Sequence, residues 1–259
     1  MKQIYLLGSP VAHSKSPLMH NEAFSLLKLD YHYSALDIKP ENLASTIQEL
    51  RDENIRGFNL TMPHKTAACQ FCDHLSPAAQ LIGSINTVVN DNGVLTGHTT
   101  DGIGFMRAIS NAGCDIKDKK ITILGAGGAA TSIFVQAALD GVSEITIFSR
   151  RSKFFSRAEK IIQDLKSYSS SIISLYDFDD ENLLRKEIKE SSLLVNATSV
   201  GMAPNTNASI ITDTTMFHKN LFVSDIIYNP EETLLLKQAK AAGCTCVGGK
   251  GMLLWQGVS

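Results

Sequence analysis

Short apolar and β-branched runs recur along the chain, at 4–7, 31–36, 57–60, 85–89, 121–124, 144–148, 171–175, 193–197 and 221–226. Each has strand length and is bounded by turn-forming residues. Between most of them lie stretches long enough for a helix, in which one-face positions return at spacings of three and four: Leu43, Ile47 and Leu50 in one, Leu234, Leu235, Gln238 and Ala242 in another. A parallel strand pair needs a long crossover, usually a helix, so this alternation predicts mostly parallel sheets covered on both faces. The expected class is α/β. No internal repeat or low-complexity tract interrupts the pattern, and the serine-rich patch at 167–171 reads as a loop.

At 259 residues the chain is long enough for two αβ domains. Its 24 Lys and Arg against 26 Asp and Glu, for a net charge of -2, leave no basic footprint for nucleic acid. No run of about eighteen apolar residues could span a bilayer, so no nucleic-acid or membrane partner is expected. The N-terminal MKQIYLLGSP starts directly as a strand-like run without the features of a signal peptide, and the expected compartment is the cytoplasm. The five cysteines are an odd number, which suits free thiols in a reducing compartment. Cys69 and Cys72 with Cys244 and Cys246 could nominally supply four thiolates, but a single residue between the second pair is atypical of structural zinc. No metal is expected.

The segment 121–130, ITILGAGGAA, carries the clearest chemistry. An apolar strand runs into Gly125, Ala126, Gly127, Gly128, Ala129 and Ala130, and a helical pattern follows. In a strand-turn-helix context Gly125 permits a tight turn and Gly127 lets the backbone approach a pyrophosphate. Ala130, in the third glycine place, is small enough for helix and strand to pack closely. Phosphates would lie at the helix N-terminus. This predicts a Rossmann dinucleotide-binding domain. A site preferring NAD normally ends its second strand with a carboxylate on the ribose hydroxyls. Here that strand ends Ser149-Arg150-Arg151-Ser152, and two guanidiniums suit a 2'-phosphate, favouring NADP. NAD remains possible through hydrogen bonds from Ser149 and Ser152 to free hydroxyls.

Four further segments, GSPVAHSKSPLMHN at 8–21, FNLTMPHK at 58–65, GSINTVVN at 83–90 and GHTTDGIGF at 97–105, together resemble the shikimate dehydrogenase family. NATSVGM at 196–202, SDIIYNP at 224–230 and GKGMLLWQG at 249–257 agree in order, so the resemblance spans essentially the whole chain. Within the family, FSRRSKFF followed by GMLLWQG is most similar to the quinate/shikimate dehydrogenase branch, although members of that branch can carry an aspartate where this chain has Ser152. The resemblance implies reversible hydride transfer between shikimate and 3-dehydroshikimate in the chorismate route to aromatic amino acids. The alternative within the family is a quinate/shikimate dehydrogenase using NAD or NADP. A non-catalytic sensor of the same fold, the other alternative, would be favoured by loss of Lys65 or Asp101, and both are present. It also implies a substrate domain over residues 1–101, an NADP domain over 102–235, a segment 236–259 returning to the first domain, and a monomer or homodimer. Two departures stand out. The family usually reads Asn-Thr-Asp-Gly where this chain has Thr99-Thr100-Asp101-Gly102, and it runs on for a further helix after the Gln256 motif.

The resemblance makes Lys65 and Asp101 a catalytic dyad. Local chemistry alone would read the lysine as a solvated surface residue and the aspartate as a helix N-cap. Pro63 suggests a helix starting there, whose positive end would disfavour an ammonium on Lys65. A carboxylate about 4 Å away would oppose that by on the order of 4 kcal/mol at an effective dielectric of 20. Ser16, before Pro17, also reads as an N-cap, and Ser14 and Ser16 suit a substrate carboxylate. By motif, Thr61, Asn86, Asp101 and Gln256 would read ring hydroxyls, and Tyr228 would reach the carboxylate side. Ser199, Met202, Ile226, Asn229 and Gly249 would contact the ribose and nicotinamide. His13, His64 and His98 fall in these motifs but have no metal-ligand spacing and are assigned no catalytic role.

Overall fold

The computed structural model, which describes residues 2–259, builds each half of the chain around its own six-stranded sheet. The halves divide after Thr100, into units 1–100 and 101–259, one residue before the expected boundary.

The first unit runs β1 (Lys2–Gly8), α1 (Ser16–Leu26), β2 (Tyr31–Asp37), α2 (Leu43–Asp52), β3 (Gly57–Leu60), β4 (His74–Leu75), α3 (Pro77–Ile82), β5 (Thr87–Asp91) and β6 (Val94–His98). The spatial order is β2-β1-β3-β5-β6-β4. β1 pairs in parallel with β2 and β3, whereas β5 is antiparallel to both β3 and β6. The predicted stripe Leu43, Ile47 and Leu50 is buried on α2 and joins Leu7, Phe58, Leu60, Ile85, Val88 and Leu95 in one core. The β5–β6 hairpin adds β6, which lies outside the nine predicted strands, to a β5 that overlaps the predicted run at 85–89. It turns through Asn92 and Gly93, both with positive φ (54° and 90°), the pair of left-handed residues that a two-residue hairpin demands. The two-residue β4 and three-residue β12 (Thr245–Val247) are too short to show a period.

The second unit runs α4 (Asp101–Asn111), β7 (Lys120–Leu124), α5 (Gly128–Leu139), β8 (Glu144–Phe148), α6 (Lys153–Leu165), β9 (Ile172–Tyr176), α7 (Glu181–Glu190), β10 (Leu193–Asn196), β11 (Phe222–Asp225), α8 (Leu234–Ala241), β12 and α9 (Lys250–Val258). Every pairing in its sheet is parallel, in the order β12-β11-β10-β7-β8-β9. β7, β10 and β11 are buried almost throughout because both faces are covered. The order reverses between β7 and β10, and a doubly wound sheet opens its ligand crevice at the carboxyl ends of the strands flanking that switch.

The segment 236–259, expected to return to the first domain, clusters with the second unit. β12 extends the sheet beside β11, and α9 lies against α4. Two glycines set that approach. A Cβ on Gly104 would fall 2.5 Å from Gln256 N and 2.8 Å from Met252 O, and one on Gly251 would fall 2.9 Å from the Ala108 methyl.

Candidate active site

In the first unit the candidate substrate residues gather at one edge of the sheet, and strand register brings them there. β1 and β3 run parallel, so the loops holding Ser14 and Thr61 leave from the same side. β5 runs against β3, so its start, beside Asn86, lies at that edge too. Backbone bonds lock the loops together: Thr61 N donates to Leu7 O at 2.9 Å, Ser9 N to Met62 O at 3.1 Å, and Leu60 N to Asn86 O at 2.9 Å. Gly8 makes the approach possible, since a Cβ there would lie 2.3 Å from the Thr61 methyl.

Lys65 sits half-buried in a turn that leads into a short 3-10 helix, Ala67–Phe71, rather than in the first turn of an α-helix. The expected helix dipole behind its amine is therefore missing. Tertiary contacts place the lysine instead: Ile85 N donates to Lys65 O at 2.9 Å, and the neighbouring His64 is buried with Nε2 2.6 Å from Ile38 O. A carbonyl only accepts, so His64 Nε2 carries the proton. His64 pins the turn.

Asn86 is 4% exposed, and its side chain closes on Thr100. Its Oδ1 accepts from Thr100 N at 3.0 Å and its Nδ2 lies 3.0 Å from Thr100 Oγ1. Asn59 supports it from behind, donating from Nδ2 to Asn86 O at 3.1 Å and Thr87 Oγ1 at 2.9 Å while Oδ1 accepts from Tyr33 Oη at 2.9 Å. Nothing in the sequence pattern singled out Asn59 or Thr100. A polar residue inside the apolar β3 run was the available signal.

At α1 the expected cap moves by two residues. Ser16 is the first helical residue, and it is the Ser14 hydroxyl that accepts from Ser16 N, at 3.2 Å. Lys15 occupies the N-cap position without a side-chain bond. Among residues assigned to substrate in the second unit, Asp101 opens α4 in its first turn, Tyr228 is exposed in the loop after β11, and Gln256 lies on α9.

The nucleotide residues lie at the carboxyl ends of β7, β8, β10 and β11. Gly125 has φ of 112°, and a Cβ on it would meet Ala197 O at 2.8 Å, so the turn requires glycine. Gly127 caps α5 without a side chain, and a Cβ on Gly127 or Gly128 would meet nothing within 4 Å. That open backbone at the helix start is what a pyrophosphate needs. Ala126 and Ala130 are buried, the latter completely, as close helix-strand packing demands.

At the end of β8, Arg150 is exposed. Arg151 stacks its guanidinium 4.3 Å from the Phe155 ring centroid and pairs through Nε with Asp177 at 3.1 Å. Ser152 caps α6 by accepting from Phe154 N, and Ser149 is buried. Ser199 and Met202 are exposed on the loop after β10, Asn229 on the loop after β11, and Ile226 is half-buried there. Gly249 is buried against that loop, since a Cβ on it would lie 2.0 Å from Ile226 O.

The model of the shikimate dehydrogenase substrate binding domain matches residues 6–88. A shikimate dehydrogenase (NADP(+)) of Listeria monocytogenes serotype 4b is 50% identical over 254 residues, covering 98% of this chain and 87% of that one. The chain belongs to the shikimate dehydrogenase family. A quinate/shikimate dehydrogenase of Escherichia coli O139:H28 is 41% identical, over 98% of this chain and 88% of that relative. The crystal structure of a shikimate 5-dehydrogenase from Listeria monocytogenes in complex with shikimate and NAD superposes with a TM-score of 0.96 at 49% identity, covering 99% of this chain and 89% of the other. The family's two-domain α/β architecture thus accounts for the two sheets. Among the described residues no three His, Cys, Asp or Glu side chains gather as metal ligands, and no helix is long and apolar enough to cross a membrane.

Proposed function

We propose that this chain is a shikimate dehydrogenase that reversibly reduces 3-dehydroshikimate to shikimate with NADP. The observation that carries the reading is the gathering of Ser14, Thr61, Lys65 and Asn86 at one edge of the first sheet, fixed by the Thr61–Leu7, Ile85–Lys65 and Leu60–Asn86 backbone bonds. Two hydroxyls at the start of α1 suit the substrate carboxylate, the group to which the family motif also assigns Tyr228. Thr61, Asn86 and Gln256 offer the donors and acceptors that a polyol ring requires.

The open backbone at Gly127 and Gly128 fits a dinucleotide pyrophosphate, and Arg150 and Arg151 supply cations for a 2'-phosphate. The bound cofactor supplies or accepts the hydride. Lys65 supplies the proton: its ammonium donates to the carbonyl oxygen as that oxygen takes up negative charge, and its amine removes the hydroxyl proton in the reverse direction. Asp101 is the carboxylate that the family motif assigns to the same hydroxyl. Ser199, Met202, Ile226, Asn229 and Gly249 contact the ribose and nicotinamide. No metal enters this scheme, and the protein acts in the cytoplasm as a monomer or homodimer.

Quinate, with NAD or NADP, is the second reading, supported by the 41% identity to the quinate/shikimate dehydrogenase. The test is purified protein with each of shikimate and quinate and each of NADP and NAD, followed by absorbance of the reduced cofactor. Shikimate with NADP is expected to give the highest kcat/KM, and no turnover with any pair would overturn the assignment.

A further inference from the structure

Asp225, at the end of β11, is wholly buried, yet the scheme above gives it no task. A buried carboxylate is costly unless donors surround it. Three do: Oδ1 accepts from Ile227 N at 3.0 Å, and Oδ2 accepts from Thr233 Oγ1 at 2.7 Å and Asn196 Nδ2 at 3.1 Å. Burial pushes its pKa up, and these donors only partly offset that.

The donors come from separate segments. Asn196 ends β10 and organises the turn after it: its Nδ2 also reaches Val200 O at 3.3 Å, and its Oδ1 accepts from Thr198 N at 3.1 Å and Thr198 Oγ1 at 2.7 Å. Ile227 lies on the loop after β11. Backbone bonds complete the junction, with Ile226 N to Asn196 O, Ala203 N to Asn229 O and Gly249 N to Ile227 O, each at 3.1 Å. Ser199 and Met202, and Ile226 and Asn229, therefore ride on two segments that meet at one carboxylate, and Gly249 is tied to the second of them through Ile227.

We infer that Asp225 is the positioning residue of the nicotinamide side of the cofactor site, its buried carboxylate holding the loops after β10 and β11, and through them Gly249, in the register that binds NADP. The inference rests on the proposed function. A carboxylate suits the task because it only accepts, and all three neighbours donate. An asparagine would turn an NH2 group toward at least one of those donors.

The test measures NADP and shikimate dissociation constants by titration, with thermal melts, on Asp225→Asn, Thr233→Val, Thr233→Ser and Met202→Ala. Asp225→Asn is expected to weaken NADP binding at least ~10-fold, about 1.4 kcal/mol, while shikimate binding stays within about twofold. Thr233→Val should move the same way by a smaller factor, and Thr233→Ser, which keeps the hydroxyl, should bind NADP as wild type does. If Asp225→Asn does not fold, the Thr233 pair decides. NADP binding unchanged in Asp225→Asn and Thr233→Val, even with a lowered melting temperature, or equal losses of NADP and shikimate, would overturn the inference. With Met202→Ala weakened and Asp225→Asn unchanged, the positioning role falls and the cofactor reading stands. If neither is weakened, both fall.

Discussion

Ile85 N donates to Lys65 O across 2.9 Å, and that bond ties the turn bearing the lysine amine to the residue next to Asn86. The bond is made by backbone atoms, so truncating the lysine side chain leaves the loop in place. Lys65→Ala is therefore expected to lower kcat by about a hundredfold or more with shikimate binding nearly intact, the signature of a lost acid-base group. Asp101→Asn should lose both turnover and binding. Steady-state kinetics from about pH 6 to 10 check this; wild-type turnover of Lys65→Ala across that range would make the lysine a bystander.

The two arginines after β8 are not equivalent. Arg151 already has Asp177 and the Phe155 ring, but an exposed pair of this kind contributes at most about 1 kcal/mol. A charge-assisted bond to phosphate, about 1.5–3 kcal/mol, outweighs it. Replacing Arg150 and Arg151 with alanine should raise KM for NADP at least tenfold while changing KM for NAD little. Equal losses with both cofactors would mark them as surface residues.

Lys120 lies at the amino-terminal end of the second sheet among three carboxylates, with Glu187, Glu190 and Glu144 at 2.7, 2.8 and 2.9 Å. Glu187 is buried and also accepts from Thr146 Oγ1 at 2.7 Å. Burial opposes its ionisation, but Lys120 and Thr146 more than offset this and hold its pKa below the usual glutamate range. A depressed folded-state value means that its contribution is present above the unfolded-state value of about 4.3 and fades as the pH falls through the folded one. Lys120→Met removes the cation that the three acids share, leaving Glu187 with the more distant Lys186 at 3.7 Å, and should cost about 3–5 kcal/mol at pH 7, whereas Glu187→Gln leaves the lysine two partners and should cost less. Without its lysine, Glu187 can protonate, so the Lys120→Met deficit should shrink between pH 7 and pH 4. Urea melts at both pH values measure this, and a deficit that stays constant would show that the loss is one of packing rather than of charge.

The contact of α4 with α9 predicts an asymmetry between two glycines. Gly104→Ala pushes a methyl into the Gln256 and Met252 backbone, which cannot give way without moving α9, and should destabilise by about 1–3 kcal/mol. Gly251→Ala meets only the Ala108 side chain and should cost less. Because Gln256 rides on α9, KM for shikimate should rise in Gly104→Ala alone. Thermal melts and steady-state kinetics test both statements.

Local chemistry was readable in the chain where it repeats or is sterically demanded. The period of apolar runs disclosed the α/β class and the long strands, because strands buried on both faces are mostly apolar. The Gly125 turn was readable because only glycine tolerates a positive φ beside the Ala197 carbonyl. Ordered motifs disclosed the family and, through it, Lys65 and Asp101. The sequence did not reveal what depends on a distant partner. β6 was hidden although Asn92-Gly93 marks the turn into it, since it interrupts its apolar run with Thr96 and Gly97. The lysine turn was misread as a helix because Pro63 is equally at home in both. The caps at Ser14 and Ser16 exchanged roles within a two-residue shift that no propensity resolves. Asp225 carried no reading in the sequence beyond its place in SDIIYNP, and only the fold, by closing Asn196, Ile227 and Thr233 around it, made a buried carboxylate tolerable there. Sequence states which groups a chain owns, whereas the free energy of a buried charge belongs to the donors that tertiary structure brings to it.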